Sequence, residues 1–256
     1  LPHLGAADDG VRATSETLAD LLVEDLKRDG AKLRQQVPKL LAELAADGKA
    51  MQVGEEFLLQ TREGAHWNHE FNKRRADILK DDTRIGDARE EKLGEGLTEA
   101  LRSLSLFQGS SRVSRKLDAV MSTTLPPQPN DKLVLWMRHG WTEQEKIVLA
   151  DARAAGSNSP MVFSFLPRVA HDELKQHLAS FLAAQETLDI LGAPGGEEGR
   201  QARKAIETQK ETADQGVRDC IQNILAAGKV FLGGGNETTG LELADRVREA
   251  GEDAVH

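Results

Sequence analysis

The sequence predicts a multidomain protein of mixed α+β and α/β class. We expect a winged-helix-like N-terminal domain, a helical connector, and a small α/β sheet domain with an inserted antiparallel helical hairpin. Helical periodicity followed by two short strand patterns around a Gly-Glu turn predicts the first domain. Continuous apolar runs that alternate with helical patterns after residue 131 predict buried parallel strands. Two long helical patterns between the last two runs predict the hairpin.

The winged-helix-like domain is assigned to residues 1–66. Apolar spacing predicts a first helix over residues 15–29 that Gly30 ends, and a short second helix in "AKLRQQV". A third helix is expected to begin at Pro38 and to close at Gly48, because proline is tolerated in the first turn of a helix. The stretch "KAMQVGEEFLLQT" then predicts a hairpin, which completes the helix, helix, helix and hairpin order of a winged helix.

The charges of this domain favour contact with protein over contact with DNA. Recognition helices that read DNA present Arg, Lys, Asn or Gln to base edges and cations to phosphates. The predicted third helix instead presents Lys39, Glu43 and Asp47, and the hairpin turn carries Glu55 and Glu56. We therefore expect the winged helix to pack against neighbouring protein, with DNA contact as the alternative.

Two further segments are predicted to be helical. Residues 67–106 form the connector, because Trp67, Phe71 and Ile78 recur at roughly helical spacing among charged residues. Residues 237–256 are expected to form a C-terminal helical tail.

The α/β domain is assigned to residues 107–236. "KLVLWMR", "PMVFSFLP" and "KVFLGG" predict its strands, which we expect to be parallel. Thr142 followed three residues later by Glu145 is a capping-box pattern that predicts the start of a helix. The antiparallel hairpin, over residues 171–227, is expected to consist of two helices separated by the breaker "LGAPGGEEG" and to project from the sheet.

A basic strip lies before the first of these strands. Residues 102–117 contain four basic side chains and no acidic one, and their alternating pattern predicts a strand. The whole chain has a net charge of −9, so any contact with a polyanion has to be local. We identify Arg112, Arg115 and Lys116 as candidate nucleic-acid contacts.

One motif is similar to a known catalytic site. Arg138-His139-Gly140, at the end of a predicted strand, resembles the start of the histidine phosphatase superfamily, whose histidine accepts the phosphoryl group. That chemistry requires a second histidine and further arginines that converge on the phosphate. The downstream histidines are His171 and His177, which we place on the hairpin, and His256 in the tail. A phosphatase is therefore a remote alternative, and we assign no catalytic residue.

The sequence predicts no cofactor and no metal in this chain. It has no G-x-x-x-x-G-K-[ST] loop for a nucleotide, and "GGGNETTG" lacks the lysine of such a loop. His66 and His69 could share a helix face, but no third ligand follows at a recognisable spacing. Cys220 is the single cysteine, which fits a reducing cytoplasm, and we expect it to pack in the hairpin seam. No apolar run is long enough to cross a membrane.

Longer strings carry a second resemblance. "VPKLLAELAADGKAMQVGEEFLLQTREGAHW", "LVLWMRHGWTEQEK", "LADARAAGSNSPMVFSFLPR" and "KVFLGGGNE" resemble the middle or C-terminal region of the large P-loop ATPase of bacterial BREX (bacteriophage exclusion) and phage growth limitation systems. The resemblance covers about residues 17–237. It implies a longer cytoplasmic parent that binds ATP and Mg through a loop N-terminal to this piece, and partners that include a DNA methyltransferase.

The functional expectation follows from that resemblance. We expect a non-catalytic assembly or interaction region of a phage-defence ATPase that contacts other proteins of the system or other parts of the parent. A DNA-contacting region of the same ATPase is the alternative. The chain lacks an initial methionine, which favours a fragment.

Overall fold

The computed structural model describes residues 12–23, 30–46, 50–53, 55–59, 61–108, 113–127 and 132–253. In these ranges the protein is mixed α/β. The helices are α1 (Ser15–Leu21), α2 (Gly30–Ala46), α3 (Arg62–Ile78), α4 (Asp82–Leu101), α5 (Glu145–Ala155), α6 (His171–Leu191), α7 (Gly196–Ala226) and α8 (Leu243–Asp253). The strands are β1 (Ala50–Val53), β2 (Glu56–Leu59), β3 (Leu106–Gln108), β4 (Val113–Met121), β5 (Lys132–His139), β6 (Met161–Leu166) and β7 (Lys229–Phe231).

The chain divides into two compact units. The first comprises Leu1–Asp82 with Ala179–Asp214, and the second comprises Thr83–Leu178 with Gln215–His256. The domain boundaries proposed from the sequence stay a prediction.

The first unit contains α1 to α3 and a two-stranded hairpin. Thr14 caps α1, because its side-chain oxygen accepts a hydrogen bond from the Thr17 amide at 3.2 Å. β1 and β2 pair antiparallel, with Ala50 opposite Leu59. The amide of Phe57 donates to the carbonyl of Ala13 at 2.8 Å, so the segment before α1 is tied to β2.

The N-terminal helices differ from those expected. α2 is one helix from Gly30 to Ala46 with Pro38 in its interior, so the predicted boundary at Pro38 is wrong. Proline removes one backbone donor and crowds the preceding turn, but here the exposed helix continues through it. Gly30 starts α2 instead of ending α1, a position where glycine is tolerated. Helix α1 ends at Leu21, and residues 24–29, Gly48 and Gly54 lie outside the described ranges.

The second unit is built on a five-stranded mixed sheet with the order β3-β4-β5-β6-β7. β4, β5 and β6 are parallel neighbours, whereas β3 and β7 are antiparallel to the strands beside them. The predicted strands are confirmed, but the expectation that β7 runs parallel is wrong. Helix α5 is the single crossover between β5 and β6, and it returns the chain so that these two neighbouring strands run parallel. After β6 the chain forms two helices and re-enters beside the end of β6, with Lys229 opposite Phe165.

Both faces of β5 are buried. One face packs with α5 in a core cluster of Val134, Trp136, Val148, Ala152, Met161, Phe163, Phe165 and Phe231. The other carries Leu133, Leu135 and Met137, which are at most 2% exposed. Each large apolar side chain buried in this way contributes about 1.5–3 kcal/mol to folding. The central strand of the sheet is therefore packed on both faces.

Candidate functional site

The motif Arg138-His139-Gly140 lies where β5 ends. Successive residues of a strand point to opposite faces, and both Arg138 and His139 are still within β5. Arg138 is buried over the Trp136 ring, with its guanidinium carbon 4.0 Å from the ring centroid, and donates through Nη1 to Asp151 at 2.5 Å. His139 is buried on the other face and hydrogen bonds through Nε2 to Glu90 at 2.9 Å. The two side chains therefore do not converge on one site.

His139 also contacts Thr142 and Trp141, and its Nδ1 lies 3.5 Å from the Thr142 hydroxyl. The ring centroids of His139 and Trp141 are 5.8 Å apart in an edge-to-face arrangement, and the Trp141 indole donates to Nδ1 of His171 at 2.9 Å. The guanidinium of Arg89 covers the Trp141 ring at 4.8 Å. Burial, followed by the charge of Arg168, lowers the pKa of His171 below its usual value, so the neutral ring that accepts from Trp141 is favoured.

His177 and His256 do not join this cluster in the described structure. A Cβ built on Gly216 of α7 would lie 2.5 Å from His177, which places that imidazole against α7. His256 lies beyond the described residues.

The predicted capping box is not formed. Helix α5 begins at Glu145 after Gln144, which makes no side-chain cap hydrogen bond. The hydroxyl of Thr142 instead donates to the carbonyl of His139 at 3.2 Å. Thr142 therefore closes the turn that follows β5, because a hydroxyl can satisfy a nearby carbonyl as readily as a helix amide.

The described second unit contains a cavity of about 650 Å³ between α4 and β4, which we call the β4 groove. Its size falls in the range of ligand-binding clefts. Its apolar lining consists of Gly94, Leu97, Leu101, Leu104, Leu106, Leu117, Ala119 and Met121. Thr98 and four cations complete the lining: Arg102, Arg115, Lys116 and Lys132.

Most cations of the β4 groove have no acidic partner among the described residues. Lys116 and Lys132 are exposed and stand opposite each other in the β4–β5 ladder, where like charges repel. Within the described ranges neither lysine nor Arg115 forms an ion pair, whereas Arg102 is paired with Glu99 at 2.7 Å. A groove with this charge attracts an anionic ligand in a protein whose net charge is −9.

Two of the three predicted nucleic-acid contacts belong to this groove. Arg115 and Lys116 both line it, while Arg112 lies in a part of the chain that the structure does not describe. Lys132 was missed, because its proximity to Lys116 depends on the register of β4 with β5 and not on sequence spacing.

The outer edge of β4 is largely open. β3 pairs with β4 only at residues 113–115, although β4 continues to Met121 and pairs with β5 over residues 116–121. Among the described residues, no other backbone hydrogen bond reaches the outer edge of 116–121. Every second residue of this segment therefore presents beside the groove an amide and a carbonyl that have no backbone partner in the described part of the chain.

Other candidate chemistry is buried or dispersed. Burial, and then the charges of Glu173 and Asp219, raise the pKa of the Cys220 thiol above its usual value. The described residues hold no group of three or more His, Cys, Asp or Glu side chains placed to bind a metal ion. None of the helices in these ranges combines the length and apolarity that crossing a membrane requires.

Comparison of the chain with family models, curated proteins and solved structures finds no match. The resemblance to a phage-defence ATPase therefore rests on the sequence motifs quoted above.

Proposed function

We propose that this chain is a non-catalytic assembly and interaction region of a BREX-type phage-defence ATPase, which contacts partner proteins or other parts of its parent. The observation that carries the proposal is the β4 groove, where apolar side chains, cations and a strand edge occur together, and where three of the cations and most of that edge have no partner among the described residues. These are the features of a surface that recognises another chain. ATP and Mg would be bound by the parent and not by this region.

The polar cluster at the end of β5 supports a non-catalytic role. Arg138 and His139 lie on opposite faces and are bound to Asp151 and Glu90, and each is at most 3% exposed. A histidine nucleophile needs an accessible nitrogen and convergent cations around the phosphate. The first condition is not met, because Nε2 of His139 is hydrogen bonded to Glu90 and the residue is buried.

We further propose that α1, α2 and the β1–β2 hairpin form a reduced winged-helix-like unit. The order helix, helix, hairpin and the bond from the Phe57 amide to the Ala13 carbonyl support this assignment. The turn carries Glu55, which is exposed, so the unit is suited to protein contact and not to phosphate contact.

We also propose that α6 and α7 form the antiparallel hairpin. In the first unit Lys210 lies 5.4 Å over the Phe181 ring, and Arg203 donates to the carbonyl of Gly192 at 2.8 Å. Later positions along α6 thus contact earlier positions of α7, which supports an antiparallel arrangement.

Co-purification tests the interaction role. The tagged 256-residue chain would be expressed in a bacterium that carries a BREX operon and recovered by affinity, and its companions would be quantified by mass spectrometry. We expect operon proteins to be enriched over a tagged chain of similar size and charge. Equal recovery from both baits would refute the interaction role.

A phosphatase assay tests the absence of catalysis. We expect the purified chain to release no phosphate from p-nitrophenyl phosphate, with His139→Ala as the matched control. Turnover by the wild type that the variant loses would overturn the non-catalytic assignment.

DNA contact is the second candidate, and it is favoured by Arg115, Lys116 and Lys132, which form no ion pair within the described ranges. A gel shift at 50 and 200 mM salt tests it, because three phosphate contacts would weaken binding about 40-fold between these concentrations. Charge reversal at Arg112, Arg115 and Lys116 should then weaken binding more than reversal at Lys39 and Lys49. Equal losses would contradict a DNA-binding role for the strip.

A further inference from the structure

We propose that the β4 groove binds an extended segment of a partner protein in which apolar and acidic residues alternate, and that this segment adds to the sheet as a strand along β4. The proposal rests on the interaction function proposed above, and it specifies the site and the chemistry of the partner.

The open edge of β4 supplies the backbone part of this recognition. Residues 116–121 are paired to β5 on one side and lack a backbone partner among the described residues on the other. At about 3.3 Å per residue, six residues offer an edge of about 20 Å. An extended peptide of that length would satisfy the outward amides and carbonyls, which is how strand addition generates affinity.

Alternation along β4 sets the side-chain pattern of the partner. Leu117, Ala119 and Met121 share one face of β4 and supply the apolar part of its contribution to the groove, whereas Lys116 lines the groove from the other face, so partner residues opposite these three should be apolar. Ala119 is exposed and small, which leaves room for a large partner side chain.

The opposite face selects acidic residues. Lys116 and Lys132 stand together on it, and the next β4 residue on that face is Asp118. The two lysines outweigh the single negative charge of Asp118, so this face as a whole favours carboxylates, most strongly at the end of the segment beside the lysines.

The composition of the groove favours a peptide over a nucleic acid. Grooves for single-stranded nucleic acid combine cations with aromatic rings on which bases stack. The thirteen described residues that line the β4 groove include four cations and no aromatic ring, and eight of the others are apolar or glycine. Such a floor is complementary to leucine-like side chains and offers no stacking surface to a base.

Fluorescence anisotropy with the full chain tests the proposal. The probe is a fluorescein-labelled octapeptide in which leucine alternates with glutamate, and the control peptide has lysine in place of glutamate. Two further probes carry N-methyl groups either on all leucines or on all glutamates. In strand addition only one of these sets directs its amides toward β4, so we expect one methylated peptide to bind and the other to fail.

Three variants locate the site. Ala119→Phe should fill the groove without changing the charge, and we expect it to weaken peptide binding at least tenfold. Lys116→Glu with Lys132→Glu should also weaken it about tenfold. Lys146→Glu with Lys204→Glu makes the same change of charge at exposed lysines elsewhere and should leave affinity unchanged. Circular dichroism verifies that each variant is folded.

Several results would overturn the proposal. Equal binding of both methylated peptides, or wild-type affinity of Ala119→Phe, would exclude strand addition in this groove. Binding of duplex or single-stranded DNA that only the Lys116 and Lys132 changes weaken, without peptide binding, would assign the groove to nucleic acid. Self-association in light scattering that Ala119→Phe abolishes would make a second copy the occupant.

The failure of this proposal is distinct from failure of the proposed function. If operon proteins co-purify with the wild type and equally with Ala119→Phe, the interaction role stands and the β4 groove is not its site. If no operon protein co-purifies even with the wild type, the function itself is refuted.

Discussion

The pair formed by Arg138 and Asp151 predicts a large asymmetry between two substitutions. The Arg138 side chain is 2% exposed, whereas that of Asp151 is 39% exposed. Nε and Nη2 of Arg138 have no hydrogen-bond partner among the described residues. Asp151→Asn would leave a buried guanidinium without its counter-charge, whereas Arg138→Met would leave a carboxylate that water can reach.

The magnitude follows from these exposures. Removing one partner of a fully buried ion pair costs about 3–5 kcal/mol. Because Asp151 is half-buried and the Trp136 ring still contacts the cation, we expect about 2–3 kcal/mol for Asp151→Asn. Arg138→Met loses the pair but also removes two unsatisfied buried nitrogens, so we expect it to lie within about 1 kcal/mol of the wild type.

Urea denaturation followed by tryptophan fluorescence measures both effects as changes in the free energy of unfolding. Asp77→Asn is the matched control, because Asp77 is 68% exposed in its pair with Lys80 and should cost less than about 0.5 kcal/mol. If Arg138→Met proved as destabilising as Asp151→Asn, the argument from the unsatisfied guanidinium would be refuted.

Three further predictions concern single contacts. Cys220 is buried with a raised pKa, so iodoacetamide should modify it in urea but not in the native chain, as mass spectrometry would detect; rapid native labelling would contradict this. His171 has a lowered pKa in the folded state, so the unfolded chain binds more protons once the pH falls below about 6.5. The stabilisation that His171 contributes is therefore present above about pH 6.5 and is lost as the pH falls below it. His171→Gln should flatten the dependence of unfolding free energy on pH, and an unchanged slope would exclude this origin. Gly216→Ala should destabilise α7 by about 1 kcal/mol or more, because its Cβ would meet His177 at 2.5 Å. In a chain that already carries His177→Ala, the change Gly216→Ala should instead stabilise α7 by up to about 1 kcal/mol. If Gly216→Ala has the same effect with and without His177→Ala, position 216 does not contact His177.

Sequence patterns predicted the strands and helices whose formation depends mainly on residues close to one another in the chain. The apolar runs gave β5 and β6 nearly at their observed bounds, and the alternating strip gave β4. The helix over residues 171–191 coincides with α6, because apolar spacing and the following glycine and proline are local features.

Features that depend on distant partners were not predictable from these patterns. The antiparallel direction of β7 follows from its pairing with β6, and the continuity of α2 through Pro38 overrides a local preference. The cation pair of the β4 groove requires the register between Lys116 and Lys132, which are sixteen positions apart. No sequence pattern sets that register, since it is fixed by the packing of the two strands.

Whether the side chains of Arg138 and His139 can act on one ligand depends on the residue at which β5 ends. Adjacent side chains converge on a single ligand only if the strand ends between them, because alternation within a strand separates them by the thickness of the sheet. His139 is still paired with Leu166 of β6, so β5 continues through the motif. Arg138 is consequently paired with Asp151 on one face, and His139 is hydrogen bonded to Glu90 on the other. At the opposite end of the strand Lys132 stands beside Lys116, and neither forms an ion pair with a residue that the structure describes. That contrast is why we place the molecular contact of this region at the β4 groove and not at the histidine motif.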